Sequence, residues 1–339
     1  EPTTVGGLLV RATEMLATTE HEQASSVTNF RFRSYGKIPA IFYNELSKAA
    51  ATAQSNTLKG SEITINPEAV YQRILQDALT TNVDINNPIG AIREQAVYTY
   101  AGPGGRTEDS FTNRDRLYPQ DGKGVISEAS VDSPSVSFRA YYTGDPSIIN
   151  MAGMECPVDS SESLGSHNLL SVVGSLVPGV MQDDPKRGLL TGAQMSQAIA
   201  VNGYEPARVR TTYEKVVPYL CGEPFTYVAK YDGKVVAHDS KLQQIKIEYS
   251  NGERRIIQYG DTIARYSAMG IHVTQSIQPH SLLGKTFKRN DIIAYNKDFF
   301  QEELDAPRVI WKSGVNLIVA LQDKEGTLED SSLISQKAI

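Results

Sequence analysis

Phe225-Thr226-Tyr227-Val228-Ala229-Lys230 and Lys234-Val235-Val236-Ala237, followed by Gln244-Ile245-Lys246-Ile247-Glu248-Tyr249 and Arg254-Arg255-Ile256-Ile257, are the runs on which the fold turns. Apolar and polar residues alternate there with period two, the pattern of strands that bury one face. Asp232-Gly233 separates the first pair of runs and Asn251-Gly252 the second, and both dipeptides accept the backbone angles of a two-residue hairpin turn. Two hairpins are expected, Phe225–Lys230 against Lys234–Ala237 and Gln244–Tyr249 against Arg254–Ile257. Downstream, Gly284 to Ala294 repeats the rhythm, and Val315 to Leu321 reads as a buried strand.

Upstream the period changes. Phe42, Leu46, Ala49, Ala50 and Ala53 give Pro39–Ala53 a helix-face spacing. Asn66-Pro67-Glu68 supplies an N-cap, a first-turn proline and an early acid, and behind it Val70, Ile74 and Ala78 line up with Tyr71, Leu75 and Leu79. Both segments read as packed core helices. From Asn86 to about Ser163 turn chemistry takes over, with Asn87-Pro88, Gly102-Pro103-Gly104-Gly105, Asp121-Gly122 and Gly144-Asp145-Pro146. Such a long loop-rich stretch is the first place to look for function. Asp183-Asp184-Pro185 then leads through Arg187 to a short helix expected around Ala193–Ala200.

With 339 residues the chain can bury a sizeable core or divide into two or three domains. Its net charge of -6, from 33 Lys+Arg against 39 Asp+Glu, argues against coating nucleic acid through bulk positive charge, though not against a local basic site. The apolar stretch Val315–Leu321 is too short to span a bilayer, so no membrane partner is expected. Cys156 and Cys221 are too few for a disulfide framework or a thiolate zinc site, and the five histidines are scattered. The start at Glu1, without a basic leader, suggests a truncated or processed beginning and no secretion signal.

Gly284-Lys285-Thr286 resembles the end of a phosphate-binding loop, but the position five residues before its glycine is Pro279, so that loop is absent. No Gly-x-Gly-x-x-Gly joins a strand to a helix. Gly102-Pro103-Gly104-Gly105 taken alone reads as a tight, solvated turn. Glu329-Asp330, two adjacent acids just past an expected strand, suit a hard cation, against the plainer reading of a solvated chain end. Arg187 beside Asp183-Asp184 reads by default as a surface ion pair, and Glu302-Glu303 with Asp305 as a solvated acidic face.

The order of these motifs carries more than any one of them. Asn29-Phe30-Arg31-Phe32-Arg33-Ser34-Tyr35-Gly36, Asn87-Pro88-Ile89 with Gly102-Pro103-Gly104-Gly105, and Met154-Glu155-Cys156-Pro157-Val158-Asp159-Ser160-Ser161-Glu162 follow one another. After them come Ser175-Leu176-Val177-Pro178 through Asp183-Asp184-Pro185-Lys186-Arg187-Gly188-Leu189-Leu190, then Tyr266 to Pro279, then Asn316-Leu317-Ile318-Val319-Ala320 with Leu328-Glu329-Asp330-Ser331-Ser332-Leu333-Ile334-Ser335. This succession resembles the β subunit of multisubunit DNA-dependent RNA polymerases. The chain departs from that family where Arg93-Glu94-Gln95 and Glu108-Asp109-Ser110 replace basic residues bordering the rifamycin pocket, where Gln197 stands near a family arginine, and where the passage between the Cys-Pro and Ser-Leu motifs is short. Such reduction looks most like the split polymerase subunits of giant tailed bacteriophages.

The resemblance implies an α+β fold in several modules, with a helical and loop-rich first half, protrusion- and fork-like, followed by a β-rich hairpin and barrel-sandwich-like module. The implied divisions are 1–85, 86–203, 204–314 and 315–339, the last an acidic active-site segment. It implies a DNA-directed RNA polymerase subunit inactive alone, in which Arg187 contacts the NTP triphosphate and Glu329-Asp330 border the second Mg2+, the catalytic ion being held by a β′-like chain. Glu162, Gln194 and Met195 would line the RNA–DNA hybrid, and Arg93, Arg106, Arg114, Arg116, Lys186 and Arg187 would line a groove that contacts phosphates. Implied partners are β′-like chains, the remaining β-like portions, a promoter-specificity subunit, DNA template, nascent RNA and NTPs. Implied locations are the infected host cytoplasm or the virion, and rifamycin resistance is expected. The rival from another class is a non-enzymatic virion structural or assembly protein.

Overall fold

A computed structural model of the chain describes residues 3–18, 33–56, 66–77, 80–101, 105–119, 122–146, 165–266, 271–281, 283–303, 306, 308–323, 325, 326, 328 and 331–338. Helices α1 (Val5–Thr18), α2 (Arg33–Asn56) and α3 (Pro67–Leu75) come first. At α3 the Asn66 side chain accepts from the Glu68 N–H at 3.0 Å and Pro67 opens the first turn, as the sequence indicates. The packing of α2 and α3 is different from expectation. Phe42, Leu46, Tyr71 and Leu75 are exposed and only Val70 of α3 is buried, so these helices are not core helices. They meet each other instead through Lys37–Asp77 at 2.5 Å and Arg73–Glu45 at 2.6 Å.

The stretch expected to be loop-rich holds more regular structure than its turn residues suggest. Helix α4 (Pro88–Gln95) leads into β1 (Val97–Thr99), which joins β2 (Ile126–Ser130) and β3 (Arg139–Tyr142) in an antiparallel sheet of order β1-β3-β2. An eight-residue helix and strands of three to five residues are too short to stand out by periodicity against so many turn formers. Tyr98, Val125, Ile126 and Ala140 form a small core under this sheet. Helix α5 runs from Pro185 to Ser196, eight residues earlier than the expected start at Ala193, because Asp184-Pro185 is itself an N-cap and first-turn pair.

Helix α6 (Val217–Cys221) precedes the β-rich part. Strands β5 (Gly233–Asp239), β6 (Gln244–Tyr249), β7 (Arg254–Gln258) and β10 (Thr286–Phe287) form a sheet of order β10-β5-β6-β7. Strands β4 (Thr226–Val228), β8 (Gly260–Tyr266), β9 (Ile271–Pro279) and β11 (Ile292–Asn296) form a second, of order β4-β11-β9-β8. Strands β12 (Phe300–Glu302) and β13 (Val309–Trp311) pair with each other. The hairpin across Asn251-Gly252 is present, with Glu248 opposite Arg254 and Gly252 at φ 86°.

The hairpin expected across Asp232-Gly233 is not formed. Strand β4 pairs with β11, and β5 turns back on β6. The Asp232 carboxylate accepts from the Arg289 N–H at 2.7 Å and its carbonyl from Ser250 N–H at 2.8 Å, so this dipeptide ties the crossing between two sheets. Val315–Leu321 is also corrected: it forms no strand, and Leu317, Ile318, Val319 and Leu321 are exposed. Its apolar composition shows what could be buried without supplying the neighbouring strands that would bury it. Glu302 is no solvated acid, since the Ser281 N–H donates to it at 2.7 Å and the Tyr295 hydroxyl lies 3.2 Å away, and Glu303 pairs with Lys215 at 3.3 Å.

Two larger cores hold these pieces. One lies within the β-rich part, from Ala229, Ile245, Ile247, Tyr249, Ile257, Ile277, Phe287, Ile293 and Ala294. The other gathers Ile89 and Ile92 of α4, Val172, Val173 and Leu176, Val217 and Cys221 of α6, and Phe225, Tyr295, Phe300, Val309 and Trp311. This second core thus draws on elements from Ile89 to Trp311, and apolar burial is the main force opposing chain entropy.

Candidate functional site

Helix α5 is the element on which the sequence candidates converge. Asp184 caps it by accepting from the Lys186 N–H at 3.1 Å, and Pro185 fixes the first turn. Gly188 and Gly192, one turn apart, face inward: a Cβ on Gly188 would lie 3.1 Å from Val180 Cγ2, and one on Gly192 3.4 Å from Val173 Cγ1. These glycines let the helix seat closely on the segment 173–180. Arg187, Leu190 and Gln194, spaced i, i+3, i+7, then fall on the opposite, exposed side, with Lys186 beside them.

Arg187 makes no ion pair among the described residues, so the surface pair expected with Asp183-Asp184 is not present. Asp183 instead accepts from the Asp184 N–H at 2.7 Å, while Asp184 is occupied with its cap. Two cations thus stand exposed at the N-terminal end of a helix, where the helix dipole also favours an anion. Gln194 shares their face. Met195 does not, for its side chain packs inward against the core of Ile89, Val173 and Trp311.

The other end of α5 is held by Asn87, which the sequence offers as turn chemistry and as part of the Asn87-Pro88-Ile89 motif. Asn87 Oδ1 accepts from the Ile89 and Gly90 N–H groups at 2.7 and 3.1 Å, capping α4. Its Nδ2 donates to the Met195 and Ala198 carbonyls at 2.9 and 2.6 Å, so one buried amide joins the start of α4 to the end of α5. Arg93 Nη1 adds a bond to Ser196 Oγ at 3.2 Å, its guanidinium lying 4.5 Å from the centre of the Tyr141 ring. The only forewarning in the sequence is Asn-Pro ahead of an apolar pair, which marks the cap but not the distant carbonyls.

The remaining basic candidates turn toward protein. Arg106 grips Asp115 and also donates to the Ser110 carbonyl at 2.6 Å. Arg106 and Arg116 lie 5.0 and 5.6 Å from the centre of the Phe111 ring, and Arg116 donates to the Pro134 and Val136 carbonyls, each at 2.6 Å. Hydrogen bonding to Asp115 pushes the Arg106 guanidinium up, and hydrogen bonding to Arg106 holds the Asp115 carboxyl well below the usual range. Of the cations expected in a phosphate groove, Arg93, Arg106 and Arg116 therefore already have intramolecular partners, whereas Lys186 and Arg187 make no side-chain ion pair among the described residues.

Glu162, Glu329 and Asp330 lie outside the described residues, as do Gly102-Pro103-Gly104 and the Cys156 motif. Among the described residues no three His, Cys, Asp or Glu side chains gather in a group that could hold a metal ion. Cys221 is buried, and burial pushes its thiol far up, away from nucleophilic or ligand chemistry. No described helix is long and apolar enough to cross a membrane.

Comparison with known proteins adds two findings. The family described as bacteriophage RNA polymerase matches residues 1–109. The DNA-directed RNA polymerase subunit beta of Desulfatibacillum aliphaticivorans is 28% identical over 180 residues, which are 52% of this chain and 12% of that relative. The same subunit of Anaeromyxobacter sp. (strain K) is 27% identical over 176 residues, 51% of this chain and 12% of the relative. That of Daucus carota is 26% identical over 182 residues, 52% and 15%. The matched part of the chain thus spans only 12 to 15% of the length of these relatives. Both likenesses support an RNA polymerase subunit.

Proposed function

We propose that this chain is a β-like portion of a phage-encoded, multisubunit DNA-directed RNA polymerase, of the split-subunit kind found in giant tailed phages, and that the exposed face of α5 fronts its active-site cleft. The observation that carries the reading is the pair Lys186 and Arg187. They stand exposed at the capped end of α5, in a chain whose sequence is similar to polymerase β subunits. A planar guanidinium can bridge two phosphate oxygens, and an ammonium beside it adds charge without demanding geometry.

In this reading Arg187 and Lys186 hold the triphosphate of the incoming NTP and orient it for in-line attack by the RNA 3′ hydroxyl. Gln194, on the same face about two turns away, meets the RNA–DNA hybrid, with Glu162 contributing from its own segment and Met195 anchoring the helix from behind. Glu329 and Asp330 border the second metal site. Mg2+, held mainly by aspartates of a β′-like partner, would supply charge stabilisation at the attacking and leaving oxygens. The other partners are the missing β-like portions, a promoter-specificity subunit, template DNA and nascent RNA. The assembly works in the infected host cytoplasm or is carried in the virion.

Native mass spectrometry of the complex purified through this chain tests the proposal. The expected result is co-purification with β′-like and further β-like chains and Mg2+-dependent extension of RNA. In that assembly Arg187→Ala should raise the NTP KM or lower kcat by roughly tenfold or more, the loss of a charge-assisted contact. Co-purification with coat or tail proteins, with no RNA synthesis, would overturn it.

A further inference from the structure

The geometry points to Asn87 as the positioning residue of the NTP-facing helix, a role that rests on the reading of α5 given above. Asn87 is 4% exposed, and both halves of its amide are used. The oxygen accepts two N–H groups of α4 and the nitrogen donates to two carbonyls at the end of α5. Those carbonyls belong to Met195, which also accepts from the Ala198 N–H at 3.3 Å, and to Ala198, at the point where α5 gives way to the exposed segment 197–202.

Close approach at the same place supports the role. Gly90 sits where a Cβ would lie 3.1 Å from the Ser196 carbonyl and would push the Asp84 carboxylate aside, so a glycine here lets α4 approach the end of α5 closely. Arg93 reaches Ser196 Oγ one turn further along α4. The clamp therefore fixes the C-terminal end of α5, while Arg187 lies eight residues before Met195. At about 1.5 Å per residue that is a lever of about 12 Å, over which a tilt of ~10° displaces Arg187 by ~2 Å. A displacement of that size carries a guanidinium out of hydrogen-bond reach of a phosphate oxygen and so weakens NTP binding.

A substitution can separate the two halves of the amide. Asn87→Ser keeps an N-cap acceptor for α4 and removes both donors to α5. Asn87→Asp keeps the acceptor in the same shape and sets a negative charge against two carbonyl oxygens, and it replaces the serine variant if that one does not assemble. Within the assembled polymerase, either variant is expected to raise the NTP KM roughly tenfold, with kcat at saturating NTP changed much less and the complex intact by native mass spectrometry.

The double variant with Arg187→Ala is expected to be no worse than Arg187→Ala alone, because Asn87 acts through Arg187, whereas a merely structural loss would multiply with it. If Arg187→Ala raises KM and the Asn87 variants do not, or if the two effects multiply, the positioning role is overturned. If Arg187→Ala itself leaves KM and kcat unchanged, α5 does not face the NTP, and the reading on which this role rests falls with it.

Discussion

Arg106 and Asp115 are joined by two parallel contacts, Nη1 to Oδ1 at 2.9 Å and Nη2 to Oδ2 at 3.0 Å. The Asp115 side chain is 4% exposed, and Thr112 adds its N–H at 2.8 Å and its hydroxyl at 2.7 Å to the same carboxylate. A carboxylate accepting this many hydrogen bonds is stabilised in its ionised form, so its folded pKa lies below its unfolded one. The stability it contributes is fully present above the unfolded carboxyl range, near pH 4, and is lost as pH falls through the lowered folded value. Asp115→Asn is expected to cost about 1.5–3 kcal/mol at pH 7. The difference from the parent should shrink by about 1 kcal/mol between pH 5 and pH 3. Urea denaturation of both proteins at the two pH values measures it, and a gap that widens toward acid would contradict the assignment.

Phe225 carries a second expectation. It is fully buried, stands edge-on to Phe299 with ring centres 5.6 Å apart, and belongs to the core that also contains Ile89, Val173 and Trp311. Phe225→Ala should destabilise the chain by about 3–5 kcal/mol through lost burial and the cavity left behind. Because that core draws on both halves of the chain, probes in α4 and in β11 should report the same loss. A change confined to the β-rich part would show that the halves fold independently.

These relationships differ in how far the sequence discloses them. Asn66-Pro67 and Asn251-Gly252 are legible because their partners are two or three residues away. Asp232-Gly233 misleads because the Asp232 carboxylate is taken by the amide of Arg289, 57 residues on. Asn87-Pro88 reads locally as a turn, whereas its side chain caps α4 and its amide nitrogen serves carbonyls 108 and 111 residues away, which no local pattern encodes. Counting cations overstates the basic surface for the same reason, since Arg93, Arg106 and Arg116 spend their donors on distant backbone and side-chain groups. The exposed face of α5 is not legible from the expected helix at Ala193–Ala200, which leaves Arg187 outside it, and the inward turn of Met195 depends on the core it meets.

Drug response follows from the residues around α4 and the loop after it. By the resemblance to β subunits, Asn87-Pro88-Ile89 and Gly102-Pro103-Gly104-Gly105 border a rifamycin pocket, and after them Glu94 pairs with Arg139 at 3.3 Å while the Glu108 carboxylate accepts from the Ser135 hydroxyl at 2.9 Å. With acids in place of the pocket's basic residues, RNA synthesis by the assembled polymerase should persist at rifamycin concentrations that stop a sensitive bacterial enzyme assayed alongside. Equal inhibition of the two would show that the pocket survives these replacements.

Ile318 and Ile293 have the same side-chain composition and opposite surroundings. Ile293 is almost fully buried in the core of the β-rich sheets, while Ile318 is fully exposed in the extended segment after Gly314. That segment is tethered at Asn316, whose N–H donates to Glu205 at 3.2 Å and whose Nδ2 donates to the Pro206 carbonyl at 3.2 Å. Beyond the tether, nothing described covers Leu317 to Leu321. An aspartate at position 293 would bury a charge without a partner, which costs at least several kcal/mol and should leave the isolated chain unfolded or aggregated. The same substitution at 318 keeps its charge in water, so Ile318→Asp should change stability by no more than about 0.5 kcal/mol. Thermal and urea unfolding of the two variants give the comparison. A large loss on Ile318→Asp in the isolated chain would mean that the segment is packed in solution.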